Sequence, residues 1–393
     1  MADYKYLIIG GGMTADAAVR GIRELDQSGL VGLLCSEACP PYDRPPLSKA
    51  LWKGGQLDSI WRGTDAVPGV TVHLGTLAAR LYPEQRQVVD QKGITYRYEK
   101  LLLATGGSPR RLGFGGDTCI YFRTVDDYRK LRNITESGNR FAVIGGGFIG
   151  SEIAAALSIN GKSIVMIFPE AGIGARVFPA DLSRAVTDYY RTKGVEVLSG
   201  AMVEGVEAAN GRLRVKIAGI KPLTVDGVVA GLGIVPSTGL AAAAGLEVAD
   251  GIVVDEFLRT SVKDIYAAGD VAMFHNPALG TAMRVEHEDN ANTMGRVAGR
   301  NMAGASQRYD HLPFFYSDLF ELGYEAVGEL DPRLETLSKW KVPFREGIIY
   351  YLHERRVRGV LLWNVWEKVD AARAVIGRHL AVGADEVGSL ISF

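Results

Sequence analysis

The sequence predicts an α/β protein in which one open, mainly parallel sheet unit is inserted into another and a smaller α+β module follows. Three observations predict it. Two glycine-rich turns of one kind, Gly10-Gly11-Gly12-Met13-Thr14-Ala15 and Gly145-Gly146-Gly147-Phe148-Ile149-Gly150, lie 135 residues apart. Each is entered from a short apolar run, Tyr6 to Ile9 or Phe141 to Ile144, and leaves into an Ala-rich helical stretch, Ala15 to Leu25 or Ser151 to Ser158. Beyond the second unit the pattern of the first resumes, with strands at Gly251 to Val254 and Asp264 to Ala268 and a helix at Asp289 to Ala303.

A glycine turn between a strand end and a helix start lets backbone N–H groups cradle a pyrophosphate at the positive end of the helix. Two such turns imply two dinucleotides on two Rossmann-like domains. The first turn offers Gly10, Gly12, Met13, Thr14 and Ala15, and the second Gly145, Gly147, Phe148, Ile149 and Gly150. The expected boundaries are 1–112 with 241–308 for the first dinucleotide domain, 113–240 for the inserted one and 309–393 for the C-terminal α+β domain.

Within this frame the first unit returns to a strand at Lys100 to Ala104, ending in Thr105-Gly106-Gly107. The inserted unit holds a strand at Ser163 to Phe168, a helix around Asp181 to Lys193 and a hairpin across Val203 to Ile217. The C-terminal unit reads as a hairpin, Gly347 to Leu352 with Val357 to Asn364, and a helix from Glu367 to Ile376. Ala381 to Phe393 lacks periodicity and is expected to be a loosely held tail.

A chain of 393 residues, 47% hydrophobic without a long apolar segment, builds ordinary cores and nothing that spans a membrane. The first strand begins a few residues after Met1, which leaves no room for a cleavable leader, so a cytoplasmic location is expected. With 44 Lys plus Arg against 45 Asp plus Glu, charge gives no argument for nucleic acid or membrane as partner. Cys35, Cys39 and Cys119 form no CxxC and no metal-ligand spacing, so neither a structural disulfide nor a metal site is expected.

In dinucleotide folds an acid roughly 20 residues past the glycines accepts hydrogen bonds from the adenosine ribose. Glu37 is placed for this in the first unit and Glu170 in the second. A carboxylate repels a 2′-phosphate, so Glu170 favours NADH over NADPH. Arg176, six residues on, works against that preference because a guanidinium accommodates the phosphate.

Four segments, one of them the second glycine turn, resemble the FAD-dependent pyridine nucleotide reductases, within them the ferredoxin reductase and apoptosis-inducing-factor branch. They are Pro41-Tyr42-Asp43-Arg44-Pro45-Pro46-Leu47-Ser48-Lys49, Leu103 to Arg110, Gly145 to Glu152 and Ile265-Tyr266-Ala267-Ala268-Gly269-Asp270. The resemblance covers nearly the whole chain and implies FAD on the first unit, NADH on the second and a C-terminal domain that covers the flavin. It implies that Arg44 and Arg110 contact FAD, as do Thr105 and Gly106 of the second segment, and that Asp270 hydrogen-bonds the ribityl or phosphate portion. By position, Ala79 falls near the adenine and Gly233 near the nicotinamide nucleotide.

The same resemblance makes Lys49 the lysine beside flavin N5 and Glu152 the carboxylate that pairs with it. Taken singly, Lys49 reads as a surface lysine and Glu152 as a first-turn acid favoured by the helix dipole. Phe148 reads either as an aromatic near the nicotinamide ring or as packing of the strand and helix crossing. Arg284-Val285-Glu286-His287-Glu288-Asp289-Asn290-Ala291 resembles the apoptosis-factor version, which puts Glu286 and His287 near the flavin. Tyr316 takes a place where that branch carries an aromatic wall.

Two departures narrow the function. Neither Leu47 nor Ser48 is a cysteine, so the disulfide-reducing and cysteine-dependent peroxide-reducing branches lose their electron acceptor. The long insertion of the animal apoptosis factor is missing between Leu337 and Gly347, so no role in cell death is expected. The expected enzyme passes a hydride from NADH to FAD and electrons onward to a ferredoxin-like carrier, or to a quinone, oxygen or another small oxidant. The alternative is a redox-responsive NADH-binding flavoprotein that signals by a change of shape or by forming a homodimer.

Overall fold

Short apolar runs alternating with amphipathic helices build two units in the computed structural model, which describes residues 2–378 and 381–393. One unit comprises the chain up to Asp43 with Asp58–Ser108 and Val235–Pro313. The other comprises Arg44–Leu57, Pro109–Ile234 and Phe314–Phe393. The second thus holds the glycine turn of the inserted segment, the C-terminal module and the short stretch that carries Lys49.

In the first unit, Val70–His73, Val31–Leu34, Ala2–Ile9 and Thr95–Leu103 lie in that order as parallel neighbours. Val31–Leu34 is buried along its whole length, as a strand covered on both faces must be. Ile265–Ala267 joins the far end of Thr95–Leu103, pairing Ile265 with Leu101 in parallel, so the chain returns to its first sheet after the long excursion. Ala78–Tyr82 and Gln87–Asp90 extend the sheet as an antiparallel pair. Helix Met13–Arg23 packs against helix Glu288–Met302, and glycine makes the approach possible. A Cβ at Gly299 would lie 2.1 Å from the Ala18 carbonyl oxygen.

In the second unit five parallel strands follow the order Glu196–Ser199, Ser163–Phe168, Arg140–Ile144, Gly227–Ala230, Cys119–Tyr121. The hairpin expected across Val203 to Ile217 is present and gains a third antiparallel strand, Ile220–Val225. Pro222 argues against a strand in the sequence, but this strand is an edge, where a missing N–H is tolerated. The C-terminal segment forms an antiparallel sheet ordered Phe314–Leu319, Leu322–Gly328, Arg356–Trp363, Glu346–His353, Glu335–Val342. Its core is aromatic: Tyr324 stacks on Trp363 with ring centroids 5.9 Å apart and planes 15° from parallel.

The tail corrects the sequence expectation. Ala384–Leu390 is helical, and Val382, Val387 and Ile391 are buried. The entry is fixed by two bonds, from the Val382 amide to the Arg355 carbonyl at 2.8 Å and from the Gly383 amide to Glu386 Oε2 at 2.7 Å. Apolar contact from an element of under two turns was enough to order a segment whose pattern is too short to show a period. Among the described residues no helix is long and apolar enough to cross a membrane, and no group of three His, Cys, Asp or Glu side chains could hold a metal.

Candidate functional site

Both glycine turns adopt backbone conformations that depend on glycine. Gly10 and Gly145 take φ of +141° and +110°, conformations that L side chains rarely adopt. A Cβ on Gly10 would come within 2.2 Å of the Ala104 carbonyl oxygen, and one on Gly150 within 2.0 Å of the Gly145 carbonyl oxygen. Gly12 and Gly147 differ. Each caps its helix without any side-chain hydrogen bond, and a Cβ at either would meet nothing within 4 Å. Open space in front of uncapped helix amides is what an anionic phosphate group needs, so both turns fit a dinucleotide.

In the first unit, Glu37 lies just past strand Val31–Leu34, and its Oε2 accepts a 2.6 Å hydrogen bond from the buried Tyr42 hydroxyl. Thr14 and Ala15 are buried in the first turn of the helix, and Met13 is half-buried. Thr105 Oγ1 donates to the Ser237 carbonyl at 2.9 Å, and the Gly106 carbonyl, at a residue with φ of +60°, accepts from the Ser237 amide. Asp270 sits in a single 3-10 turn, its carbonyl receiving Arg284 Nη1 at 3.1 Å. The same guanidinium holds Glu286 at 2.7 Å, and His287 is the extended residue that caps helix Glu288–Met302. Ala79 is exposed at the bulge of strand Ala78–Tyr82.

The second unit carries the ion pair. Helix Phe148–Ile159 begins early enough to put Glu152 in its second turn, where it is only 4% exposed, so a helix-dipole role does not describe it. Lys49 follows the short 3-10 turn Pro45–Ser48, whose prolines preset the backbone. Its Nζ lies 2.7 Å from Glu152 Oε1, with the lysine side chain 13% exposed. Two hydroxyls complete the carboxylate: Ser48 Oγ donates to Oε2 and Ser317 Oγ to Oε1, each at 2.6 Å. The ammonium also stands 5.1 Å from the centre of the Tyr316 ring. A buried charge is tolerated only when paired and hydrogen-bonded, and here three donors, adjacent Ser48 and Lys49 with distant Ser317, meet one carboxylate. Burial, and then the charge of Glu152, push the Tyr190 and Tyr324 hydroxyls well above the usual phenol range, so both remain neutral.

Phe148 meets Phe315 edge-on at 5.4 Å and Tyr324 at 6.4 Å. Phe148 therefore sits within an aromatic cluster formed with the C-terminal sheet. Ile149, by contrast, is 36% exposed. Glu170 and Arg176 face each other: Arg176 Nη2 lies 2.5 Å from Glu170 Oε1. Arg110 and Gly233, expected to serve different nucleotides, are neighbours, the Arg110 amide donating to the Gly233 carbonyl at 2.9 Å. Arg44 Nη1 donates to the Arg123 carbonyl at 2.9 Å. Sequence reasoning missed Ser48, Ser317, Phe315 and Tyr324 as parts of this constellation.

Two of the three cysteines are buried and held as thiols. Cys35 is buried, and desolvation, aided by the charges of Glu37 and Cys39, pushes its thiol up to about 12. Burial likewise raises Cys119.

Two glycine turns without side-chain caps, on separate parallel sheets and with the Lys49 and Glu152 pair beside the second, fit a protein that uses two dinucleotides. The chain belongs to the pyridine nucleotide-disulphide oxidoreductase family, whose model matches residues 4–295, and residues 298–343 and 339–378 match the C-terminal domain of mitochondrion-associated apoptosis-inducing factor. It is similar to apoptosis-inducing factor 1, mitochondrial, of Dictyostelium discoideum, 35% identical over 95% of this chain and 78% of the relative. It is also similar to the ferredoxin reductase subunit of 5,5'-dehydrodivanillate O-demethylase from Sphingobium sp., 34% identical over 98% of this chain and 96% of the relative. Among solved structures, the putidaredoxin reductase in its covalent complex with putidaredoxin superposes with a TM-score of 0.91, at 29% identity, over 99% of this chain and 96% of that one. The protein is an FAD-dependent oxidoreductase that uses NAD(H).

Proposed function

We propose that the protein draws electrons from NADH through FAD and hands them to a ferredoxin-type iron-sulfur carrier, with no redox disulfide in the path. The observation that carries this reading is the buried Lys49 and Glu152 pair, held by Ser48 and Ser317. Bound FAD supplies the chemistry, accepting a hydride and releasing electrons singly or as a pair. In this proposal the first domain, 1–112 with 241–308, holds FAD through the Gly10 turn, Glu37, Arg44, Thr105, Gly106, Arg110 and Asp270. The inserted domain, 113–240, holds NADH through the Gly145 turn, Glu170 and Gly233, and 309–393 covers the flavin. Lys49 places a fixed positive charge near the electron-rich reduced ring, and Glu152 keeps that charge in position. Glu170 sets the preference for NADH, and its carboxylate holds the exposed Arg176, the group that would otherwise favour a 2′-phosphate.

The ferredoxin-type carrier is supported by the names of the Sphingobium relative and of the putidaredoxin reductase structure. A cytoplasmic location accords with three free cysteines. The second reading, a redox-responsive flavoprotein that signals by a change of shape or as a homodimer, is favoured by the C-terminal match to apoptosis-inducing factor and by Glu286 and His287 at the start of helix Glu288–Met302. Stopped-flow mixing of the NADH-reduced protein with a ferredoxin, a quinone or oxygen separates the two. Reoxidation fastest with the ferredoxin is expected; a reduced complex that outlives all three acceptors would favour the second reading.

A further inference from the structure

A small cavity lies behind the ion pair. Helix Phe148–Ile159 supplies its floor through Glu152, Ala155, Ala156 and Ile159, one face of the helix running outward from a 4% exposed carboxylate to a 49% exposed isoleucine. The cavity has room of about 10 Å³, near what one water molecule occupies. Ser48, Lys49 and Glu152 line it together with Lys53 and Asp318. Lys53, Asp318 and Phe320 also line an open surface depression of about 520 Å³. At this shared mouth Lys53 Nζ and Asp318 Oδ2 stand 3.9 Å apart, too far for a direct hydrogen bond and suited to a bridging water. At the inner end Glu152 Oε2 accepts one hydrogen bond, from Ser48, and has a second lone pair to offer.

The overall reaction releases a proton. A hydride carries two electrons and one proton, whereas a ferredoxin-type carrier takes one electron and no proton. The balance is NADH plus two oxidised carriers giving NAD⁺, two reduced carriers and one proton. In the proposed reading that proton starts on the reduced flavin and ends in solvent.

We propose that this cavity holds a water and forms the proton exit, leading from Glu152 past Ser48 to the Lys53 and Asp318 mouth. Glu152 would take the proton from the N–H of the reduced flavin, and each later transfer breaks one O–H bond and forms another along the chain, the last delivering hydronium to the depression. Tyr190 and Tyr324, held neutral, do not compete for the proton. Ser48 and Asp318 are positioning residues in this path. The proposal rests on the reading that puts Lys49 beside the flavin.

The test uses the FAD-loaded full chain, with Ala156→Val to fill the cavity and Asp318→Asn to alter its mouth. A crystal structure of the oxidised protein is expected to show a water within hydrogen-bond distance of Glu152 Oε2, absent in Ala156→Val. In weakly buffered solution a pH-indicator dye then follows proton release when the reduced protein meets ferricyanide, a one-electron acceptor. Release should slow about tenfold in Ala156→Val and lag in Asp318→Asn, with the flavin potential of both unmoved. A dry cavity, or release as fast in both variants as in the native protein, overturns the exit. Lys49→Met, measured for flavin potential beside them, reports on the site reading alone. A potential moved by Lys49→Met with unaltered release in the cavity variants sinks the exit and leaves that reading; an unmoved potential sinks the reading itself.

Discussion

Lys49→Met should lower the flavin reduction potential and slow reduction by NADH while FAD stays bound. The substitution keeps most of the side-chain volume and removes the charge, so Glu152 is left 4% exposed with only two serine hydroxyls to stabilise it. Breaking a buried pair by removing one partner typically costs about 3 to 5 kcal/mol, because an uncompensated charge stays behind. Part of that cost should appear as a lower denaturant midpoint. The rest should appear in the potential, since the ammonium favours the electron-rich reduced ring. Glu152→Gln leaves the ammonium without its counter-charge and loosens Ser48 and Ser317, so it should slow single-turnover reduction as well. Unchanged potential and unchanged rate in both variants would reduce the pair to a structural tie.

Gly150→Ala should abolish NADH binding and leave flavin binding nearly intact. The added methyl would lie 2.0 Å from the Gly145 carbonyl oxygen and 2.9 Å from its carbon, and neither is a flexible side-chain end that could swing away. Overpacking usually costs about 1 to 3 kcal/mol, and an obstacle made of backbone belongs at the upper end. The turn itself must open, which displaces the amides that face the phosphates. Isothermal titration with NADH on the FAD-loaded variant reads this directly. Gly147→Ala is the control, because a Cβ there meets nothing within 4 Å, and its effect on folding should be small. Equal NADH affinity in native protein and Gly150→Ala would mean the second turn does not bind the nucleotide.

The parallel sheets and both glycine turns were legible because each is a local pattern: an apolar run, a turn of glycines, a helix. Ser163–Phe168 emerged with the bounds its apolar run suggested, and Asp264 to Ala268 became Ile265–Ala267 of the first sheet. The ion pair was legible only through resemblance, since no spacing rule links Lys49 to Glu152. Ser48 and Ser317, 104 and 165 residues from Glu152, escaped notice for a plainer reason. A serine in a turn or a strand is ordinary, and only the fold reveals that two hydroxyls converge on one carboxylate. The pairing of Glu170 with Arg176 was equally hidden: the sequence offered two opposed effects on nucleotide choice, and the side chains instead engage each other. The C-terminal tail was misread because Val382, Val387 and Ile391 follow no single period, although all three are buried.

One measurement bears most directly on the central claim that the two turns bind two different dinucleotides in a single redox path. The purified protein, loaded with FAD under anaerobic conditions, is titrated with NADH while the flavin absorbance is followed. Tight FAD uptake and complete bleaching at one NADH per flavin are expected, with Gly150→Ala taking up FAD but failing to bleach. A protein that stays colourless after incubation with FAD, or a bound flavin that NADH leaves yellow, would contradict it.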